Sequence, residues 1–416
     1  MEYVIPRYKE ILKNFFIILF FYMYLFQPPV INKSIYIVVE LLILFTYVFF
    51  VDKKIIRIFI RKFKVEIFIL YIIICYSIVR DILAGSEVYS FRFFAWAFQS
   101  FIFGFFIIYV IDKFNNWREN QLQIISLLYW TCFIASIFTL VLLTNKSFDT
   151  YYQTIQLDDF DQYADMAFRY RAYGISENLT FTYSYVMGFF AGYTLLVIRK
   201  NIFLIFPFLL FVLAIMFNAR IGIVALLLFF IIILVQKKFS NIIITVVLAL
   251  IVLAAVAIKY SDLTAMMVSN KEWALHFFYD ISDSIFGTHY ASTSEMDQLT
   301  NSFIIFPDTF FHWVFGNGES LFLKTGGGNS DIGYIIQLNY GGLLFLIQIL
   351  VMMMFFSYRL CKTLTWRHWF VSIFICSIII LNFKGFIFAA TPGGRILFFL
   401  YVFYIYMYPN KKLDAA

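Results

Sequence analysis

The 416 residues are 62% apolar and only 14% charged, with a mean hydropathy of +0.84, far more hydrophobic surface than one water-soluble core can hide. A bilayer-crossing helix takes roughly 20 mainly apolar residues, so about 12 crossings would use most of them; soluble enzymes, disulfide scaffolds and nucleic-acid binders are excluded as whole-chain readings. The net charge of +7 is accounted for by where the cations fall along the chain, without an acidic partner.

The apolar runs are continuous rather than alternating, which predicts an all-α polytopic membrane helix bundle and excludes an outer-membrane barrel. In chain order they lie near 14 to 31, 35 to 51, 66 to 84, 93 to 111 and 122 to 143. A polar stretch, 144 to 178, follows. Then come runs near 179 to 198, 202 to 217, 221 to 235 and 242 to 258, a second polar stretch over 259 to 331, and runs near 332 to 356, 369 to 383 and 386 to 408. Lys384, Gly385, Pro392 and Gly393 all compete to mark the last turn. The first run continues through Gln27, Pro28 and Pro29 without a small-residue cleavage pattern, so it reads as a retained helix. Cys75, Cys132, Cys361 and Cys376 sit in or beside apolar runs, a pattern of neither a disulfide framework nor a metal cluster.

Orientation follows from Lys and Arg, which stay on the cytoplasmic side. The connection 52 to 65 carries Lys53, Lys54, Arg57, Arg61, Lys62 and Lys64 and is placed inside. Both termini are then cytoplasmic, and the two long stretches, 144 to 178 and 259 to 331, are outward-facing loops of a single transmembrane domain. The first has three basic against six acidic residues and the second three against nine, so any anion they hold is gripped by particular arginines.

Arg169 and Arg171 alternate with aromatics in Phe168-Arg169-Tyr170-Arg171-Ala172-Tyr173-Gly174, just before the next helix. A guanidinium is a planar fork that matches phosphate oxygens, so the pair suits a lipid diphosphate at the membrane boundary; pairing with Asp158, Asp159, Asp161 or Asp165 is the structural alternative. Arg220, in Asn218-Ala219-Arg220-Ile221-Gly222, sits at a helix start, where the macrodipole disfavours a cation unless an anion is present. Snorkelling to headgroups is the plain alternative. Arg395, in Thr391-Pro392-Gly393-Gly394-Arg395, repeats that logic at the last span. Arg80 lies at the C-terminal end of its helix, where the dipole favours a cation and Asp81 adds a counter-charge, and reads as structural. Ser330 or Asp331 reads by local physics as a helix N-cap; Asp331, Glu177 and His289 are also candidate general bases. His276, His289 and His312 have no metal-ligand spacing, and no nucleotide-binding loop or serine triad appears. The stretch 301 to 315, rich in Phe, reads as lying on the bilayer or packed under the loop.

Taken together, Arg171-Ala172-Tyr173-Gly174, Asn218-Ala219-Arg220-Ile221-Gly222, Phe315-Gly316-Asn317-Gly318 and Ser330-Asp331-Ile332-Gly333-Tyr334 followed by Tyr340-Gly341-Gly342 resemble the Wzy-type polymerases of O-antigen and capsular repeat units, in the O-antigen polymerase and ligase superfamily. Asp331 stands where ligase-like members tend to have His, and neither long loop has the Arg followed eleven residues later by Gly that some members carry. The resemblance implies transfer of an oligosaccharide from undecaprenyl diphosphate to another carrier-linked repeat unit in the bacterial inner membrane. It implies no metal and no cofactor, with a chain-length regulator and a flippase as partners. Arg171 and Arg220 would hold the diphosphate, Arg169 and Arg395 would support them, and Asp331, Glu177 or His289 would be the base. An O-antigen ligase is the alternative enzyme, and a carrier-lipid flippase the alternative from another class.

Overall fold

A computed structural model describes residues 4–85, 89–115, 121–145, 147–148, 151–152, 155, 174–176, 181–198, 201–219, 221–235, 304–318, 330, 332–364, 368–385 and 387–408. All regular structure among them is helical. In order these are α1 (Val4–Phe26), α2 (Lys33–Phe50), α3 (Lys54–Ala84) and α4 (Tyr89–Trp96), which continues through a π-helical turn (Ala97–Phe103) into α5 (Gly104–Asn115). Then come α6 (Gln121–Thr144), α7 (Phe181–Val197), α8 (Ile205–Met216), α9 (Ile221–Val235), α10 (Phe310–Phe315), α11 (Gly333–Thr363), α12 (Trp369–Lys384) and α13 (Pro392–Met407). Four helical stretches among the described residues, Lys54–Ala84, Tyr89–Lys113, Gln123–Thr144 and Gly333–Thr363, are long and apolar enough to cross a membrane, and several shorter apolar helices accompany them. This is the architecture of a multi-pass membrane protein. The expected run over 242 to 258 lies outside the described residues.

Packing divides the chain into two units: Met1–Tyr36 with Glu119–Tyr290, and Ile37–Arg118 with Ala291–Ala416. In the first, α1 packs on α6, and α7 lies between α8 and α9. Lipid is as apolar as the helices, so close backbone approach and interhelical hydrogen bonds hold such bundles together. The α7 sequence Gly188-Phe189-Phe190-Ala191-Gly192 supplies the first. A Cβ on Gly188 would lie 2.0 Å from the Gly222 carbonyl oxygen, and one on Gly192 would strike the Phe229 ring at 2.4 Å. Tyr183 supplies the second, sharing a 2.8 Å hydrogen bond with the Thr139 hydroxyl beside the Ala135 carbonyl. Gly188→Ala is therefore expected to push α7 and α9 apart and cost about 1–3 kcal/mol, as overpacking does. The readout is the melting midpoint of detergent-purified protein. Gly192→Ala serves as the milder comparison because a phenyl ring can rotate away where a backbone carbonyl cannot.

The second unit buries polar groups and exposes apolar ones, the arrangement a lipid solvent selects. Leu42, Phe45, Phe68, Val79 and Leu83 face outward. Glu66 is fully buried, ion-paired with Arg359 and accepting a hydrogen bond from the Tyr401 hydroxyl at 2.9 Å. Glu40 takes a 2.9 Å bond from Gln99, a residue of the π-helical turn. Every residue of α13 is buried.

The basic segment expected as a connection over 52 to 65 is mostly helix. α3 starts at Lys54 and bends at Phe63 (φ −119°, ψ 25°), so a basic helical arm precedes the apolar span, with Ile56 and Ile60 exposed beside its cations. Lys and Arg are good helix formers, which is why charge alone does not end a helix. The start of α3 is fixed by Asp52. Its carboxylate accepts from Lys113 at 2.9 Å, Tyr109 at 2.8 Å and the Lys54 backbone N–H at 2.9 Å, and these bonds hold its pKa down at about 2.

Candidate functional site

Two features at one end of the second unit bring chemistry-bearing side chains together: a break in α11 and the start of α13. The break is at Gly342, whose φ of +68° and ψ of −169° interrupt the helix. A helix broken inside an apolar span must find new donors for its released carbonyls, because lipid offers none. Here the Asn339 carbonyl accepts from the Asn317 N–H at 2.8 Å, and that of Tyr340 from the Gly318 N–H at 3.0 Å. The Gly341 carbonyl accepts from the Tyr76 hydroxyl at 2.7 Å.

The segment after α10 thus docks edge-on into the break, and it fits only because both surfaces are glycine. A Cβ on Gly316 would lie 2.3 Å from the Tyr340 carbonyl oxygen, and one on Gly342 2.3 Å from that of Val314. Upstream, the Asn339 side-chain amide donates to the Ile305 carbonyl at 2.7 Å. Phe310 and Phe311 in α10 remain exposed, so the Phe-rich stretch is packed on α11 along one side and turns apolar rings outward on the other.

Around the break, Tyr340 stacks on Tyr89 at 4.1 Å between ring centroids and donates to Asp81 at 2.6 Å. The other Asp81 oxygen accepts the Ser90 N–H at 2.8 Å, in the first turn of α4, where the free N–H groups and the dipole favour an anion. Asp81 is therefore not the counter-ion of Arg80, as the sequence suggests. Arg80 is buried (7% exposed) and donates from Nη2 to the Gly316 carbonyl at 3.0 Å. No carboxylate among the described residues is ion-paired with it.

At the start of α13, Thr391 is the N-cap and accepts from the Gly394 N–H at 3.4 Å, with Pro392 just inside the helix, where its missing N–H costs nothing. Arg395 follows in the first turn and is completely buried. Its Nη2 donates to the Ala390 carbonyl at 2.7 Å, so the connector between α12 and α13 meets the guanidinium. That connector is longer than the apolar pattern suggests: α12 ends at Lys384 and α13 begins at Pro392. Phe388 from the connector packs edge-on against Trp96 at 5.0 Å, so α4 touches both Tyr340 at the break and the connector that holds Arg395. A reciprocal amide pair between Gln337 and Asn382, at 2.7 and 3.2 Å, ties α11 to α12 nearby.

Of the expected catalytic and diphosphate-binding residues, Arg395 is described. Arg169, Arg171, Glu177, Arg220, His289 and Asp331 lie outside the described residues. Their described neighbours are firmly held. Between Arg171 and Glu177, the Ile175 carbonyl accepts from Tyr22 at 3.0 Å and that of Ser176 from Tyr152 at 2.7 Å. Beside Arg220, the Ala219 carbonyl accepts from the Ser184 hydroxyl. Beside Asp331, the Ser330 hydroxyl accepts the Ile332 N–H at 3.2 Å, but the N-cap of α11 is Ile332, without a side-chain cap. The N-cap expected at Ser330 or Asp331 thus falls at Ile332 instead, because Ser330 closes a turn in the approach to the helix.

Sequence reading missed the break itself and the bond from Arg80 to Gly316. The glycine pair 341–342 facing Gly316 and Gly318 was the available signal. No protein-family model, curated protein or solved structure matches this chain.

Proposed function

We propose that this chain is a polymerase joining undecaprenyl-diphosphate-linked oligosaccharide repeat units into O-antigen or capsular polysaccharide at the outward face of the bacterial inner membrane. The observation that carries the reading is Arg395, a completely buried guanidinium in the first turn of an apolar helix. Burying a cation is costly unless partners meet it, so ionisable residues in apolar helices are functional candidates by default. The helix N-terminus adds its own positive field, and an anionic ligand offsets both.

In the proposed reaction the hydroxyl of one repeat unit attacks the anomeric carbon of another, and the bond from that carbon to the carrier diphosphate breaks. The hydroxyl proton passes to a base, for which Asp331, Glu177 and His289 are the candidates. Diphosphate is already a good leaving group, so the protein's contribution is charge stabilisation by arginines and alignment of two glycans. Arg171 and Arg220 are proposed on the diphosphate, with Arg169 and Arg395 in support.

Deleting the gene in its host and resolving the surface glycolipids on a gel tests this. Lipid bearing a single repeat unit without a ladder is expected, restored by the wild-type gene and not by Arg220→Ala at equal membrane level. A ladder that persists in the deletion strain sinks the polymerase reading. Complete absence of attached repeats would point to a ligase or a flippase, separated by the side of the membrane on which the carrier-linked glycan accumulates.

A further inference from the structure

We propose that Arg80 is a phosphate-binding residue, its guanidinium held at the break in α11 to take the oxygens of a lipid-linked phosphate group. The diphosphate identity of that ligand rests on the polymerase reading above; the anion site does not.

Three observations converge on Arg80. First, it is a buried cation left largely unsatisfied. A guanidinium has five N–H donors, yet the bond to Gly316 is its one hydrogen bond to described residues, and its buried Nε has no partner. Buried charges are normally paired, because an unpaired one forfeits its hydration without replacement. Second, the neighbouring carboxylate is committed elsewhere: Asp81 is engaged by Tyr340 on one oxygen and Ser90 on the other. Third, the loop meets the guanidinium through a glycine, Gly318, which places backbone and no charged side chain beside it. Gly318 has a φ of +79°, and a Cβ there would lie 3.4 Å from Arg80 Nη2 and 2.2 Å from the Ala84 methyl.

Arg80 precedes the last turn of α3, so the helix dipole, which acts within that turn, supplies no counter-ion. A phosphate oxygen pair matches the planar N–H edge of arginine bidentately, a geometry that lysine cannot reproduce. Two sources carry that chemistry in a membrane: the diphosphate of a polyprenyl carrier and the headgroup of an anionic phospholipid.

The test titrates the full-length protein, in phosphatidylcholine nanodiscs, with farnesyl diphosphate, with farnesol as the uncharged control. Wild type is expected to bind the diphosphate and not farnesol, Arg80→Gln to bind it at least tenfold more weakly, and Arg80→Lys to fall between them. Competition by inorganic pyrophosphate supports recognition of the diphosphate itself, whereas weakened binding in phosphatidylglycerol nanodiscs supports the same site with a headgroup as its source. Equal affinity in wild type and Arg80→Gln overturns the proposal, as does absence of diphosphate binding to wild type. If Arg80→Gln does not fold, Arg80→Lys decides: it keeps the charge and loses the fork, so unchanged affinity overturns the assignment. A ladder persisting in the deletion strain would remove the polymerase reading while leaving this binding result standing, so the two ideas fail separately.

Discussion

Gly342→Ala is expected to expel the segment 314–318 from the break in α11 and to abolish polymer formation. The residue sits at φ +68° and ψ −169°, a region essentially confined to glycine, where a side chain costs about 1–3 kcal/mol. Its Cβ would also lie 2.3 Å from the Val314 carbonyl oxygen, a contact that no rotamer change relieves. Relief comes only if the docked segment moves, which strands the carbonyls of Asn339 and Tyr340 that Asn317 and Gly318 now satisfy. Each such bond is worth about 1 kcal/mol net and more when its loss leaves a buried acceptor unpaired, so the total expected loss is roughly 3–5 kcal/mol. Two measurements check it: a lower melting midpoint of the purified protein, and faster protease cleavage between Phe315 and Gly318. If both match wild type, the break is not what holds the segment.

Arg395→Met is expected to remove function. Losing the bond to the Ala390 carbonyl costs about 1.5–3 kcal/mol, the usual range for a charged donor. Removing a completely buried cation also removes its desolvation cost. These effects oppose each other, and the melting midpoint is measured alongside activity to separate a stability loss from a functional one. Polymer formation should fall at least 100-fold if the arginine supports a diphosphate, with Arg395→Lys recovering part of it because the charge returns without the fork. Unchanged ladders from Arg395→Met at equal membrane level would make Arg395 a packing residue. A collapse of stability without a charge-dependent loss of function would do the same.

These two substitutions differ in how far sequence alone could have foreseen them. Arg395 was legible, because Thr391-Pro392-Gly393-Gly394-Arg395 carries a cap, a helix-starting proline and a cation in five consecutive residues. Gly342 was not. Gly341-Gly342 within an apolar run is compatible with a tolerated glycine pair, a kink or close helix packing, and only the arrival of Gly316 and Gly318 from an earlier segment selects the break. Arg80 shows the same limit more sharply: adjacency in Arg80-Asp81 suggests a local pair, but successive residues on a helix point about 100° apart. The structure turns Asp81 to Tyr340 and Ser90 and Arg80 to Gly316.

The sequence by itself determined that the chain is a multi-pass helical bundle and where nearly all its described helices lie. Continuous apolar runs can satisfy their backbone in lipid only as helices, and that constraint is local. It also showed that Arg395 stands at a helix start, since caps and turn residues act within a few positions. Tertiary structure alone decided which cations are paired, where a span is broken and which glycines exist for contact. Those outcomes depend on carbonyls and side chains brought together from positions hundreds of residues apart, as with Tyr76 and Gly341 or Arg80 and Gly316. No periodicity along the chain encodes such pairings, because each partner looks ordinary until the other arrives.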